Sequence, residues 1–154
     1  MATMNVYAQI DGMKGECTEE KHKDWCVVIG YSHRIEYAFD FRQGAGKGEP
    51  EHSGLTITKP LDPSSPMLAE ACAKKKKIAK VVLEFMRDSP TDGATQMYFT
   101  VTIEDVRVVK VIPSMTEGKE YPHVEEVGFS YQKIVWKQVP ASKETQFDFK
   151  NPTG

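Results

Sequence analysis

Leu55-Thr56-Ile57-Thr58-Lys59-Pro60-Leu61-Asp62-Pro63-Ser64-Ser65-Pro66-Met67-Leu68 carries the two signals on which the fold turns. Its first half alternates: Leu55 and Ile57 are apolar, Thr56 and Thr58 polar, which is the two-residue period of a strand with one buried face. Its middle holds Pro60, Pro63 and Pro66, which forbid a continued ladder or a helix interior. Ser65 then offers a hydroxyl as N-cap, and Pro66 suits the first helical position, where its missing N–H is not needed. Leu68, Ala71 and Cys72 follow at i, i+3 and i+4. A short helix with one narrow apolar face therefore starts here and ends in Lys74-Lys75-Lys76-Lys77, cations set where the terminal carbonyls carry negative charge.

The strand period continues outward along the chain. Val6, Ala8 and Ile10 alternate with Tyr7, Gln9 and Asp11, and Val81, Leu83 and Phe85 straddle Val82 and Glu84. Phe99, Val101 and Ile103 are separated by threonines, and Val127, Phe129 and Tyr131 by Gly128 and Ser130. β-Branched and aromatic residues dominate each run, so the chain reads as mainly β. Two runs change phase, from Ile103 to Val106 and Val108, and from Tyr131 to Ile134 and Trp136. A one-residue shift is what a β-bulge produces where a sheet curls. Trp25-Cys26-Val27-Val28-Ile29-Gly30-Tyr31 is apolar on both faces, and its outer side needs cover from a helix or a neighbouring subunit.

Loops are expected over 11–24, 40–54, 87–95, 113–122 and 137–154. The second, with Gly44, Gly46, Gly48 and Pro50, is long for a compact β domain, as functional and interaction loops often are. A length of 154 residues suits one domain over 1–154, with a core over 4–136 and a tail over 137–154. Forty per cent hydrophobic and 27% charged residues are an ordinary globular composition. No run approaches the ~20 apolar residues of a membrane-spanning helix, and Met1-Ala2-Thr3-Met4-Asn5 shows no signal-peptide character. With 20 Lys and Arg against 22 Asp and Glu, the formal charge of −2 does not advertise nucleic acid or anionic lipid. Three cysteines, odd and sparse, argue against a disulfide scaffold and for folding in a reducing cytoplasm.

Candidate chemistry is thin. Gly44-Ala45-Gly46-Lys47-Gly48 fails as a phosphate loop, because Phe41 stands at the first required glycine and Gly48 at the required hydroxyl residue. Cys17, His22, Cys26 and His33 have the right ligand types for zinc but an unusual spacing, and a strand points Cys26 and His33 to opposite faces. Cys26 and Cys72 read as small buried hydrophobes. Ser32 and His33 also face opposite ways, and no acid partner for a hydrolase is identifiable. The pairs Glu19-Glu20, Glu104-Asp105 and Glu125-Glu126 read as solvated surface, as do the four lysines. The chain is not an obvious enzyme, and neither metal nor cofactor is expected.

Several segments in order resemble the haemolysin-coregulated protein family, Hcp, the tube protein of bacterial type VI secretion systems. They are Ile10-Asp11-Gly12-Met13-Lys14-Gly15-Glu16, then Tyr31-Ser32-His33, then the stretch from Leu55 to Leu68. Ile103-Glu104-Asp105-Val106 and Glu125, Val127, Tyr131, Ile134 and Trp136 complete the set. The most specific part is the motif around the helix start, with Lys59, Pro60, Asp62, Ser65 and Pro66. Lys75 stands where the family has glycine just past the helix, which implies a longer helix or a closure without the left-handed cap.

The resemblance implies a tight β-barrel of two sheets with one flanking helix, in a homohexameric ring that stacks into a tube within a contractile sheath. It also implies spike and effector proteins as partners, a cytoplasmic location before firing, and export without a signal peptide. No cofactor, nucleic-acid partner or membrane insertion is expected. Gly30 and Ser32, both small, are candidates for the pore wall and effector contact. Gln43, Gly44, Ala45, Gly46, Lys47, Gly48, Glu49 and Pro50 are candidates for the loop that meets the next ring. The competing reading is a small β-barrel that binds an apolar ligand inside, against which Phe85, Phe99, Phe129 and Trp136 argue by filling the interior.

Overall fold

The computed structural model describes residues 5–153. Met1–Met4, read above for a signal peptide and as the first edge of the core, lie outside the described residues, as does Gly154. The order is β1 (Val6–Ile10), a 3-10 turn (Glu20–His22), β2 (Cys26–Val28), β3 (Gly30–Glu36), β4 (Phe39–Asp40), β5 (Ala45–Gly46) and β6 (Glu51–Pro60). Then come α1 (Ser65–Ala73), β7 (Lys77–Asp88), β8 (Thr95–Met115), β9 (His123–Ser130), β10 (Lys133–Gln138) and β11 (Lys143–Asp148). The mainly β reading with one helix is what the structure shows.

Nine strands form one antiparallel sheet in the order β2-β1-β7-β8-β9-β6-β3, with β10 paired to β8 and β11 to β10. The short β4-β5 hairpin stands apart. The hydrogen-bonded path is open, since β2 and β3 end it without pairing to each other. They are consecutive in the chain, separated only by Ile29, whose N–H donates to the Thr58 carbonyl at 2.8 Å. One continuous run thus pairs with β1 through its first half and with β6 through its second.

Inward side chains from β1, β2 and β6 to β10 meet in one core: Ala8, Ile10, Cys26, Val28, Leu55, Ile57, Leu83, Val101, Ile103, Val127, Phe129 and Ile134, with Leu68 and Ala71 of α1. Each large apolar side chain there adds roughly 1.5–3 kcal/mol of transfer free energy. Phe85, Phe99 and Trp136 are partly buried against this core, while Phe129 is wholly inside. A smaller cluster of Tyr7, Cys17 and Met86, with Trp25, Val27 and Met97 packed on it, lies on the other side of the sheet. The outer face of the Trp25–Val27 segment is therefore covered by the chain's own residues, in place of the helix or partner subunit expected. Ile29 and Tyr31, further along, stay exposed.

Several boundaries move. The expected loop over 40–54 is largely structured, because β5 returns against β4 and β6 begins at Glu51. The loop over 113–122 shrinks, since β8 runs to Met115, and the segment after Gln138 is a hairpin strand instead of a loop. The phase change after Tyr131 is no bulge: β9 ends at Ser130 and β10 begins at Lys133. The phase change at Glu104-Asp105 is real, but it needs no extra residue. The pairs Ile78↔Val106, Lys80↔Glu104 and Val81↔Ile103 keep one register, and Ala79-Lys80 turn outward together with Glu104-Asp105. Asp105 bends its strand through a positive φ of 53°. Register does slip at His33/Ile35, Phe85/Met86 and Val108/Lys110, where the sheet curls.

The helix also departs from expectation at both ends. Ser64 occupies the N-cap position and Ser65 starts the helix, which moves Pro66 one place inward. At the other end the helix stops at Ala73, and Lys77 already belongs to β7. Lys75 adopts φ 57°, with Lys76 N–H bonded to the Ala71 carbonyl at 2.9 Å and Lys75 N–H to the Cys72 carbonyl at 3.4 Å. These two bonds are the Schellman closure, made here with lysine at the position that favours glycine.

Candidate functional site

Three successive cross-strand pairs line the inner face of β6 and β9: Leu55↔Phe129, Ile57↔Val127 and Lys59↔Glu125. The first two are apolar, and the third places an ammonium directly opposite a carboxylate in the same layer. The Lys59 side chain is 0% exposed, Asp62 1% and Glu125 2%. Lys59 Nζ donates to Glu125 Oε1 at 2.6 Å, Asp62 Oδ1 at 2.9 Å and the Pro60 carbonyl at 3.1 Å. Ser65 Oγ donates to Glu125 Oε1 at 2.8 Å and accepts the Asp62 N–H at 2.9 Å. Asp62 Oδ1 also accepts the Ser64 N–H and hydroxyl. Burial works to lower the Lys59 pKa, but the hydrogen bonds to Glu125 and Asp62 and the Asp62 charge outweigh it and hold it above the ordinary lysine value.

This node explains the motif at the helix start. Lys59, Pro60, Asp62 and Ser65 are brought together, and with Glu125 they tie the proline turn and first turn of α1 to β9. The Ser65 hydroxyl does not cap the helix, because it is spent on Glu125. Glu125 corrects the surface reading of Glu125-Glu126: it is buried, whereas Glu126 points outward to Lys110 at 2.7 Å. The signal lay in parity, since Glu125 falls in phase with Val127 and Phe129.

The outer face of the same strands is different in kind. Gly30 and Ser32 of β3 lie beside Thr58 and Thr56 of β6, which lie beside Glu126 and Gly128 of β9. A Cβ on Gly30 would sit 3.1 Å from both Cβ and Oγ1 of Thr58, so a side chain there would press on its neighbour. A Cβ on Gly128 would sit 3.2 Å from Cβ and Cε of Lys110, whose stem crosses it on the way to Glu126. The result is a continuous face of small and polar groups.

Gln43–Pro50 lie in and after the β4-β5 hairpin. Asp40 Oδ1 accepts the Arg42 and Gln43 N–H groups at 2.9 and 3.3 Å, and Lys47 N–H donates to the Ala38 carbonyl at 2.7 Å. Tyr37 lies over Gly46, where any Cβ would collide with its ring. Gly44 and Gly48 have positive φ of 63° and 69°, the conformation that spares them a β-carbon penalty at the turns.

The residues weighed for other chemistry are dispersed. Cys26 Sγ sits 3.4 Å from Ser64 Oγ inside the core, and burial pushes its thiol up to about 12. His22 Nε2 is 2.7 Å from Glu84 Oε1, with its ring stacked on Tyr7 at 4.2 Å. His33 Nε2 bonds Tyr131 Oη at 2.7 Å, and His52 Nδ1 bonds the same oxygen at 2.6 Å. Burial lowers the pKa of both histidines, and His52 lowers that of His33 further. The expected strand parity holds for Ser32 and His33, and the partner of His33 is a phenol instead of an acid. Among the described residues no group of three or more His, Cys, Asp or Glu is placed to hold a metal, and the three cysteines are free.

The family model described as type VI secretion system effector, Hcp, matches residues 7–138. The chain is 28% identical over 143 residues to the major exported protein of Pseudomonas aeruginosa, covering 90% of this chain and 83% of that one. The fold is similar to that of Hcp1 from Salmonella typhimurium, with a TM-score of 0.81 at 24% identity over 98% of this chain and 99% of that one. It is also similar to the secreted protein Hcp3 from Pseudomonas aeruginosa, with a TM-score of 0.77 at 24% identity, covering 95% and 98%. With the buried node at its helix start and the family match across most of its length, the chain belongs to the Hcp family, the non-enzymatic, secreted tube component of the type VI secretion system, whose members assemble as hexameric tubes.

Proposed function

We propose that this chain, acting as one unit over its whole length, forms a homohexameric ring whose copies stack inside a sheath and leave the cell with spike and effector proteins. Before firing it resides in the cytoplasm, and its export uses no signal peptide. The observation that supports a conducting role is the outer face of β3, β6 and β9. Gly30, Ser32, Thr56, Thr58 and Gly128 give it little relief, and the ion pairs of these strands, Lys110–Glu126 and Arg34–Glu36, are each internally neutral. A wall of this kind passes a folded cargo without holding it by one fixed charge. Ser32→Gln puts a longer side chain on that face, at an exposed position that folding does not need. The ring is expected to remain while effector retention in a pull-down falls; equal retention would remove Ser32 from the pore wall. Gln43–Pro50 supply the contact with the next ring, and deletion of these residues is expected to leave soluble rings that do not stack.

A further inference from the structure

We propose that His33, His52 and Tyr131 form a site for one divalent first-row transition ion of the class that imidazole binds, zinc or copper. His33 Nε2 and His52 Nδ1 lie 2.7 and 2.6 Å from the same atom, Tyr131 Oη. Three donors therefore face one point, and they come from three segments: β3, β6 and the turn between β9 and β10. The two histidines stand 98 and 79 residues before the tyrosine, so no local spacing in the sequence announces the set.

The backbone is bent so that they converge. Strict alternation from the buried Leu55 would turn His52 to the outer face of β6. Gly54 breaks that alternation at φ 78°, and the pairing steps from His33↔Leu55 to Ile35↔His52, so β6 carries one residue more than β3 across the gap. Such a bulge re-aims the side chains beside it. A Cβ on Gly54 would lie 2.9 Å from the Phe129 carbonyl oxygen, so the bend requires glycine. Tyr131 arrives in phase with the buried Val127 and Phe129. An aromatic wall closes round the donors: the His52 ring lies 4.8 Å from those of Phe147 and Phe149, and the His33 ring 6.4 Å from Trp136.

The donors are in the form that an ion needs. An imidazole ligates when neutral, and burial lowers the pKa of both histidines, so both are neutral at pH 7. His33 Nδ1 and His52 Nε2 have no hydrogen-bond partner among the described residues. They are free to hold the ring proton, which leaves each inner nitrogen a lone pair for the ion. Bonds of about 2.0–2.2 Å to nitrogen and oxygen fit between these three atoms after side-chain movements of roughly half an ångström. Burial raises the pKa of Tyr131, so its oxygen is the weaker third donor. The phenol proton passes to solvent as the ion takes its place, and the two imidazoles carry the affinity. With no carboxylate in the set, magnesium and calcium find none of the hard ligands they need.

The test uses the full chain without an affinity tag, carrying Cys72→Ser so that the half-buried thiol does not compete for the ion. Zinc affinity is read by equilibrium dialysis at pH 7.5. Zinc at about 100 times its Kd is expected to raise the melting temperature by about 5–10 °C, and magnesium at the same concentration to leave it unchanged. His33→Gln and His52→Gln are each expected to weaken zinc binding about tenfold or more, and Tyr131→Phe by less than either. His123→Gln, outside the set, is expected to change nothing. Copper(II) bound one to one is expected to show two imidazole nitrogens by electron paramagnetic resonance, a readout that needs no variant to fold. No zinc shift in the parent chain, a copper spectrum without two imidazole nitrogens, or unchanged affinity in the His33 and His52 variants would overturn the site.

Discussion

Replacing Lys59 with methionine removes the one cation of a site that holds two carboxylates out of water. The methionine keeps most of the stem volume, so the change is mainly electrostatic. Asp62 retains the Ser64 N–H and hydroxyl, and Glu125 retains, among the described residues, the Ser65 hydroxyl. Truncating one partner of a fully buried ion pair costs about 3–5 kcal/mol, because the remaining charge is neither solvated nor paired. That is a large share of the roughly 5–15 kcal/mol that holds a domain together. Urea unfolding, followed through Trp25 and Trp136 at fixed protein concentration, measures the loss. In a double-mutant cycle, Glu125→Gln is expected to cost much less in the Lys59→Met background than in the wild type, with a coupling of about 1–3 kcal/mol. The folded-state pKa of Lys59 is raised, so its contribution is complete below the ordinary value of about 10.4 and drains only as pH rises through the folded value. A loss under about 1 kcal/mol for Lys59→Met, or an additive cycle, would refute the reasoning.

Other expectations follow from single observations. Lys75→Gly relieves a non-glycine residue at φ 57° and is expected to stabilise the fold by about 0.5–1 kcal/mol in the same denaturation assay. In the folded protein a thiol reagent is expected to modify Cys72, which is half-buried, and to spare Cys17 and Cys26 until the chain unfolds. His33 and His52 have lowered folded-state pKa values, so the unfolded chain takes up protons first as pH falls through about 6.5. Their contribution is complete above that pH and is lost in acid; His33→Gln/His52→Gln is expected to flatten the fall of melting temperature below pH 6.5, and an unchanged slope would contradict it.

Strand periodicity was legible because one face of each strand is buried and the other is not. Leu55 and Ile57, and Val127 and Phe129, all lie inside as their alternation requires. The helix start was legible from its prolines, since no other local structure tolerates them in that order. The node beneath it was hidden because Lys59 and Glu125 are 66 residues apart and charged residues default to the surface. Only their parity with apolar neighbours carried the information. Strand ends were hidden for another reason: β8 extends to Met115 because it pairs with β9 as a long hairpin, and pairing needs no apolar residue. Left-handed Lys75 shows the same limit, because the Schellman bonds and the β7 strand just after it decide its conformation over its own preference.

Light scattering behind size-exclusion chromatography, with negative-stain images of the same peak, tests the central claim most directly. Six copies of 17.3 kDa make a particle of about 104 kDa that is expected to image as a ring with a central hole. A monomer of 17.3 kDa that persists at high concentration would contradict the ring for this chain and leave only its fold in common with the tube proteins.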